Sequence, residues 1–325
     1  MLLKSPSVDE VYTVVCSMEA QSAAGPDGFG GGFYQSCWEC IRDDFIDGVQ
    51  DFFAGATMPR GFSSTTIILL PKREGACEWK DFRPISLANV SAKIISKVLS
   101  TRINQLLPRL VLEFQTGFIP GSGIQDNVLL AQELILDLDK KLRHPNVILK
   151  LDMEKAYDRV DWGFLLYMLR EFGFKEGVVD LVFRLVSNVW FSVLVNGELT
   201  GFFKSTRGVR QGDPLSSTLF LFMPEFLGRA LQRLFTSTPA FRFLSKGGLV
   251  SFLAFADDVI IFTRASTECL QAVSSFLQEY QTLSGQKINL SKSHFLCSSK
   301  LPSEVIQLIQ QVTGFQEQSW PVKYL

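Results

Sequence analysis

The chain has 325 residues, 46% of them hydrophobic, and a formal net charge of −1. That is enough apolar material to bury a large core, as one large domain or two subdomains, and it excludes a disordered tail. The near-neutral charge and a pI of about 6.2 argue mildly against a nucleic-acid partner, since such proteins usually carry a basic excess.

The elements follow in chain order. Residues 7–20 and 33–53 have helical spacing, separated by the glycine-rich stretch Gly25 to Gly32, where backbone freedom prevents a regular element. Thr65 to Leu70 reads as a strand, and Ser91 to Leu107 as an amphipathic helix stopped by Pro108. Between Arg60 and Arg109, nine Lys and Arg residues outnumber Glu74, Glu78 and Asp81. That excess could face phosphate, although a charge run is more often a solvated face. Residues 124–142 form another helix. Val147 to Leu151 reads as a buried strand ending in Asp152, and helical spacing resumes from Ala156 to Arg170, with helices near 161–171 and 176–189. A hairpin of Phe191 to Val195 and Gly201 to Lys204 turns at Asn196-Gly197. Ser216 to Phe235 reads as one long apolar helix, and a helix from about Thr267 to Leu283 follows the next hairpin.

Six cysteines, two histidines and no signal peptide point to a reducing compartment. Cys37 and Cys40 have the spacing of half a zinc site, but no second pair or nearby His completes it, so they read as ordinary helical residues. No membrane span is expected, because the most apolar stretch, near Val178 to Val195, is interrupted by Arg184. There is no dense basic block for nuclear import, no internal repeat and no low-complexity linker.

The chemistry concentrates in Phe252 to Phe262, where Asp257 and Asp258 lie between two apolar runs, a pattern that reads as a β-hairpin with acids at its tip. Adjacent carboxylates repel, more strongly at low dielectric, and a bound cation would relieve them. Asp-Asp is also an ordinary turn sequence. Asp152, at the junction of a strand and a helix, shifts the balance. If the two strands are neighbours in one sheet, Asp152, Asp257 and Asp258 converge at one edge, and such hard oxygen ligands suit Mg²⁺ shared with substrate phosphates. Two such ions would form a clamp for in-line phosphoryl transfer.

Ala256-Asp257-Asp258, Asp152-Met153-Glu154-Lys155-Ala156-Tyr157-Asp158 and Arg207 to Ser216, with Gln211-Gly212-Asp213-Pro214 at its centre, resemble three core motifs of reverse transcriptases in the family's order. Ala24 to Phe29, Leu70-Pro71-Lys72 with Trp79 to Leu87, Gln115 to Phe118 with Asp126-Asn127, and Ser284 to Asn289 resemble further segments of the non-LTR (LINE-type) retrotransposon branch, particularly in plants. The resemblance implies an α+β fold of right-hand polymerase fingers and palm, with an antiparallel palm sheet backed by helices. Residues 1–146 would be the fingers-like region. Residues 147–325 would be the palm, with part of the fingers between its first and second motifs. Lys323-Tyr324-Leu325 looks like the start of the primer grip, which on this reading is cut short, with the thumb missing.

The resemblance also implies roles. Asp152 and Asp257 would be the principal metal ligands, with Asp258 the third carboxylate, the Met153 carbonyl a further ligand, and two Mg²⁺ ions, or Mn²⁺, as cofactors. The bland reading is a trio of turn acids. Tyr157 would sit under the sugar and reject a ribose 2′-hydroxyl; otherwise it is a core tyrosine. Gln211 and Gly212 would lie against the incoming nucleotide, with Asp213-Pro214 supplying an N-cap and first-turn proline. Lys72 and Arg83 would hold the triphosphate; otherwise they form surface salt bridges. Lys292 would protonate the leaving pyrophosphate.

RNA template, DNA primer and dNTP are the implied partners, with no membrane. Nuclear action, with cytoplasmic assembly also open, follows only from the family. Ala24, Ser122 and Ser217 depart from common family residues, and Pro224 falls inside a predicted helix, where an interior proline costs roughly 3 kcal/mol. Those departures and the truncated grip support a second reading, an inactive retrotransposon remnant that only binds RNA. A third, a maturase-like splicing factor, shares the palm but fits the segments around Arg83 and Gln115 less well.

Overall fold

The computed structural model describes residues 1–119, 121–246 and 248–318. Residues 1–106 contribute α1 (Val8–Cys16), α2 (Gly31–Ser36), α3 (Trp38–Ala54), α4 (Arg60–Ser63), β1 (Ser64–Pro71), β2 (Phe82–Ala88) and α5 (Val90–Asn104). Then come α6 (Leu107–Leu110), α7 (Ile124–Ile135), β3 (Asn146–Leu151), α8 (Trp162–Glu171), α9 (Glu176–Ser187), β4 (Trp190–Val195), β5 (Glu198–Lys204) and α10 (Pro214–Phe220). The last part holds α11 (Phe222–Ser237), β6 (Phe252–Phe255), β7 (Asp258–Arg264), α12 (Thr267–Ser284), β8 (His294–Leu296), α13 (Ser303–Thr313) and β9 (Gln316–Glu317).

Two compact units form, and both are discontinuous: the first is residues 1–106 with 166–219, the second 107–165 with 220–325. The expected division at 146/147 follows neither. Residues 107–146 join the second unit because α7 buries Ala131 and Leu134 in the same cluster as Leu253 and Ile260 of the sheet strands.

The first unit is built on a four-stranded sheet in the order β2-β1-β4-β5. β1 pairs antiparallel with β2 and parallel with β4. The β4–β5 turn is the expected Asn196-Gly197, both at positive φ (51° and 87°), as a two-residue hairpin turn of matching twist requires. Buried side chains of α5, among them Ile94, Leu99 and Ile103, belong to this unit's core. Arg102 ties the N-terminal segment to α5 by two bonds to Glu10 (2.7 Å each) and by the carbonyls of Leu2 and Lys4.

The second unit is built on a five-stranded sheet in the order β6-β7-β3-β8-β9, antiparallel except for β8–β9. It carries the neighbouring strands that the sequence called for.

Several helices differ from expectation. The helix expected to run to Leu107 ends at Asn104, and Pro108 lies inside the short α6. The helix over 124–142 closes at Ile135 and continues as a 3₁₀ turn, Leu136–Asp139. The single helix expected over Ser216 to Phe235 is two, α10 and α11. Leu221, the one residue between them, keeps a helical backbone (φ −56°, ψ −28°), and Pro224, which has no N–H to give the carbonyl of Phe220 four residues back, is what interrupts the run. Among the described residues no helix is long and apolar enough to cross a membrane. The six cysteines are free. The primer-grip reading at Lys323 to Leu325 lies outside the described residues.

Candidate active site

β3 and β7 run antiparallel with Leu151 opposite Val259. One step further along each strand stand Asp152 and Asp258, side by side at the sheet's end. Ala256 and Asp257 make the turn between the paired Phe255 and Asp258. Ala256 has φ of 55°, left-handed backbone that costs an L-residue about 1–2 kcal/mol, so the surrounding structure holds this turn against its local preference.

All three acids are half-buried. Burial raises the Asp257 carboxyl above its usual range, and the Asp152 charge pushes it the same way. Burial likewise raises Asp258, where Lys150 opposes the shift and the Asp257 and Asp152 charges add to it. Anionic oxygens held together in a half-dry site are a cation's environment. Among the described residues no three His, Cys, Asp or Glu side chains gather closely enough to hold an ion by themselves.

The loop from Asp152 to Asp161 is held along its length by one segment, Ser284 to Asn289. The Asp152 carbonyl accepts from the Asn289 N–H (2.8 Å), the Glu154 N–H donates to the Lys287 carbonyl (2.8 Å), and Met153 bridges Ile288 between them. These bonds belong to Asp152 and Glu154, so the Met153 carbonyl is not spent on the bridge. Further along, Gln286 Nε2 donates to the Ala156 carbonyl (2.9 Å), Arg159 Nε to the Gly285 carbonyl (3.2 Å), and the Asp161 N–H to the Ser284 carbonyl (3.1 Å). Gly285 caps α12 at φ 72°, and a Cβ there would lie 2.6 Å from the Arg159 carbonyl oxygen, so only glycine fits. The Asp152 N–H donates to Ser293 Oγ (3.1 Å).

A second set of contacts fixes the acid hairpin. The Thr116 N–H donates to the Ala254 carbonyl (3.1 Å) and the Ala254 N–H to the Phe114 carbonyl (2.9 Å), so Phe114 to Thr116 lies along the free edge of β6. Asn127, on α7 and 2% exposed, donates from Nδ2 to the carbonyls of Ala254 (2.9 Å) and Phe114 (3.3 Å). Gly117 presses on the turn itself: a Cβ there would lie 2.4 Å from the Ala256 nitrogen.

Tyr157 opens a 3₁₀ turn, Tyr157–Arg159, where a helix was expected. Its ring stacks on Phe220 at 4.7 Å and 11°. Burial, with the Asp257 charge adding, raises its hydroxyl pKa and keeps it protonated. Lys292 is exposed, in the turn before β8, with its N–H on the Asn289 carbonyl (3.1 Å). The second unit thus brings together Asp152, Asp257, Asp258 and Tyr157, with Met153 beside Asp152 and Lys292 three residues past the supporting segment.

Lys72, Arg83, Gln211 and Gly212 belong to the first unit. Lys72 follows β1 and donates from Nζ to the Lys80 carbonyl (2.8 Å); Arg83 is exposed on β2 opposite Leu70. Gly212 has φ of 99°, and a Cβ there would lie 3.5 Å from the Ser86 carbonyl oxygen. Asp213 Oδ1 caps α10 by accepting from the Leu215 N–H (2.9 Å), with Pro214 first in the helix as expected. Its Oδ1 also takes the Ser96 hydroxyl (2.6 Å), and its carboxylate pairs with Arg210.

The family model for reverse transcriptase (RNA-dependent DNA polymerase) matches residues 70–325. The chain belongs to the reverse transcriptase family. Over 331 residues it is 29% identical to the transposon TX1 uncharacterized 149 kDa protein of Xenopus laevis, covering 99% of this chain and 24% of that protein. Over 239 residues it is 29% identical to the Pol polyprotein of the type-2 retrotransposable element R2DM of Drosophila melanogaster, covering 72% of this chain and 21% of that one. Within the reverse transcriptases it groups with those of non-LTR retrotransposons, and it spans about a quarter of the length of these relatives. Its fold is similar to that of telomerase from Candida tropicalis truncated from its C-terminal domain, with a TM-score of 0.52 at 16% identity over 86% of this chain and 59% of that one. Reverse transcriptases generally use divalent metal ions, which suits the donor set at Asp152, Asp257 and Asp258.

Sequence reading missed the roles of Asn127, Gly117 and the Ser284 to Asn289 segment. The signal was present, since all three lie in segments that resemble the family, but nothing local says that a residue in one helix pins a turn more than a hundred residues away.

Proposed function

We propose that this chain is the catalytic core of an RNA-directed DNA polymerase. A primer 3′-hydroxyl attacks the α-phosphate of a dNTP paired to an RNA template. The new O–P bond forms as the α–β bridging bond breaks, the hydroxyl proton leaves to solvent, and pyrophosphate departs. The observation that carries the reading is the adjacency of Asp152 and Asp258 at the ends of paired strands, with Asp257 in the turn beside them.

Asp152 and Asp257 would be the principal ligands of two Mg²⁺ ions, replaceable by Mn²⁺, with Asp258 and the Met153 carbonyl completing the protein's share. When bound, such ions supply activation of the attacking oxygen and charge stabilisation of the leaving one. The chain's own groups do the rest. The Ser284 to Asn289 segment and Asn127 hold the carboxylates in place, and Tyr157, fixed against Phe220, excludes a ribose 2′-hydroxyl. Lys72 and Arg83 bind the triphosphate, Gln211 and Gly212 line the nucleotide's face, and Lys292 donates a proton to pyrophosphate. The nucleus is the proposed site of action.

Primer extension on an RNA template with dNTPs and Mg²⁺ tests this, using the chain alone and fused to the region that follows the matched segment in the R2DM relative. Extension that disappears in Asp257→Ala Asp258→Ala supports the reading. Folded protein that extends in neither form overturns it for this chain.

A further inference from the structure

The first unit contains a groove of about 820 Å³ that takes no part in the proposed reaction. One face of α3 forms its long wall. Ile41, Phe45 and Phe52 recur there at helical spacing with Tyr34 and Met58 nearby, and Phe29 and Phe62, which also line it, are 45% and 48% exposed. Exposed aromatic surface around a concavity marks a binding site more often than chance.

The charge of the groove has one sign. Asp44 and Asp51, both exposed, stand along the same wall, and among the described residues no lysine, arginine or histidine lines it. Neither aspartate enters an ion pair among the described residues. Near α3, Arg42 pairs with Glu39 and Asp43, and Arg184 with Asp180, while Arg60 lies over the Trp190 ring. Such a wall repels phosphate, so a nucleic acid is the wrong occupant.

Gly48 is the independent observation. It lies inside α3 between Asp44 and Asp51 and lines the groove, and a Cβ built on it meets nothing within 4 Å. A glycine inside a helix is less stable there than alanine. Neither a positive φ nor a close neighbour within the fold calls for it. A bare patch of helix between two unpaired carboxylates is what lets a second backbone come close.

We infer that this groove is the docking site of a basic amphipathic helix from a protein partner. Its apolar side chains enter between α3 and the loop that carries Met58, and its Lys or Arg residues pair with Asp44 and Asp51. From Ile41 to Phe52 the wall runs about 17 Å, room for about three turns of partner helix.

The test uses the full chain and a fluorescein-labelled 14-residue helical peptide, with Leu and Phe at i, i+3, i+4 and i+7 and Lys or Arg flanking them. Controls are a scrambled peptide and one with Glu in place of each basic residue. Fluorescence anisotropy should show saturable binding of the basic peptide, weakened at least tenfold by Asp44→Lys Asp51→Lys and by Gly48→Trp. Gly48→Ala serves as the folding control and should raise Tm. Binding no tighter than that of the scrambled or acidic peptide, binding that survives the substitutions, or an RNA oligonucleotide taking the same site would each overturn the inference.

Discussion

Replacing Asn127 with leucine tests whether the acid hairpin is positioned from outside its own strands. The substitution roughly conserves volume and deletes the two hydrogen bonds that Nδ2 gives to the carbonyls of Ala254 and Phe114. Neither carbonyl is left orphaned, since Ala254 still accepts from Thr116 and Phe114 from Ala254. The cost is therefore near the ordinary net value of about 1 kcal/mol per bond, or about 2 kcal/mol together, and not the larger penalty of stranded polar groups. Function should suffer more than stability. Ala254 lies three residues before Asp257, and a displacement of about 1 Å at reacting groups can cost on the order of 100-fold in rate. Urea unfolding should show stability lowered by about 2 kcal/mol through a lower midpoint at unchanged m, and steady-state incorporation should show kcat at least tenfold down with KM for dNTP nearly constant. Asn127→Asp, which sets a carboxylate against two carbonyl oxygens, should be worse on both counts. A leucine variant that loses stability yet keeps its kcat would refute the reasoning, because the bonds would then support the unit without positioning the hairpin.

Three further outcomes are expected. Asp257 and Asp258 bind protons more tightly folded than unfolded, so the metal-free chain holds more protons than its unfolded state between about pH 4 and their raised values, and stability falls as pH rises through that window. Asp257→Asn should flatten that part of a Tm-against-pH curve, and Mg²⁺ should restore Tm at neutral pH; identical slopes in parent and variant would remove the electrostatic argument. Gly117→Ala puts a Cβ 2.4 Å from a backbone nitrogen, and thermal unfolding should register about 1–3 kcal/mol of strain with a parallel loss of extension. Tyr157→Ala should raise ribonucleotide incorporation at least tenfold relative to dNTP and lose about 1 kcal/mol of ring stacking on Phe220; unaltered sugar discrimination would remove Tyr157 from its proposed role.

The acid hairpin and the strand before Asp152 were legible because uninterrupted apolar runs mark strands covered on both faces, and polar residues at their ends mark where burial stops. The Asn196-Gly197 turn and the Asp213-Pro214 helix start were legible for a similar reason: each is local chemistry. What the sequence hid was partnership. Nothing in Ser64 to Pro71 says that it will run parallel to a strand that starts at Trp190, nor that Phe114 to Thr116 will lie along β6. The interruption at Leu221 within Ser216 to Phe235 was legible as local chemistry too, since Pro224 has no N–H to give Phe220 four residues earlier. The grouping of 107–146 went unseen because α7's apolar stripe fits either unit equally well until its partner is known.

The alternation of the two units along the chain bears on how the protein comes to exist at all. β1 and β2 leave the ribosome early, but the strand that completes their sheet begins at Trp190, and the first piece of the second unit is made in between. That second unit in turn waits for Asp258 and His294 before β3 has either of its neighbours. During synthesis the β1–β2 hairpin and the apolar face of α5 therefore stay exposed for roughly five to twenty seconds at ordinary elongation rates, a window in which a chaperone has something to hold. It also follows that no single cut releases either unit intact, so limited proteolysis between Leu106 and Leu107 should leave two fragments that remain associated or unfold together.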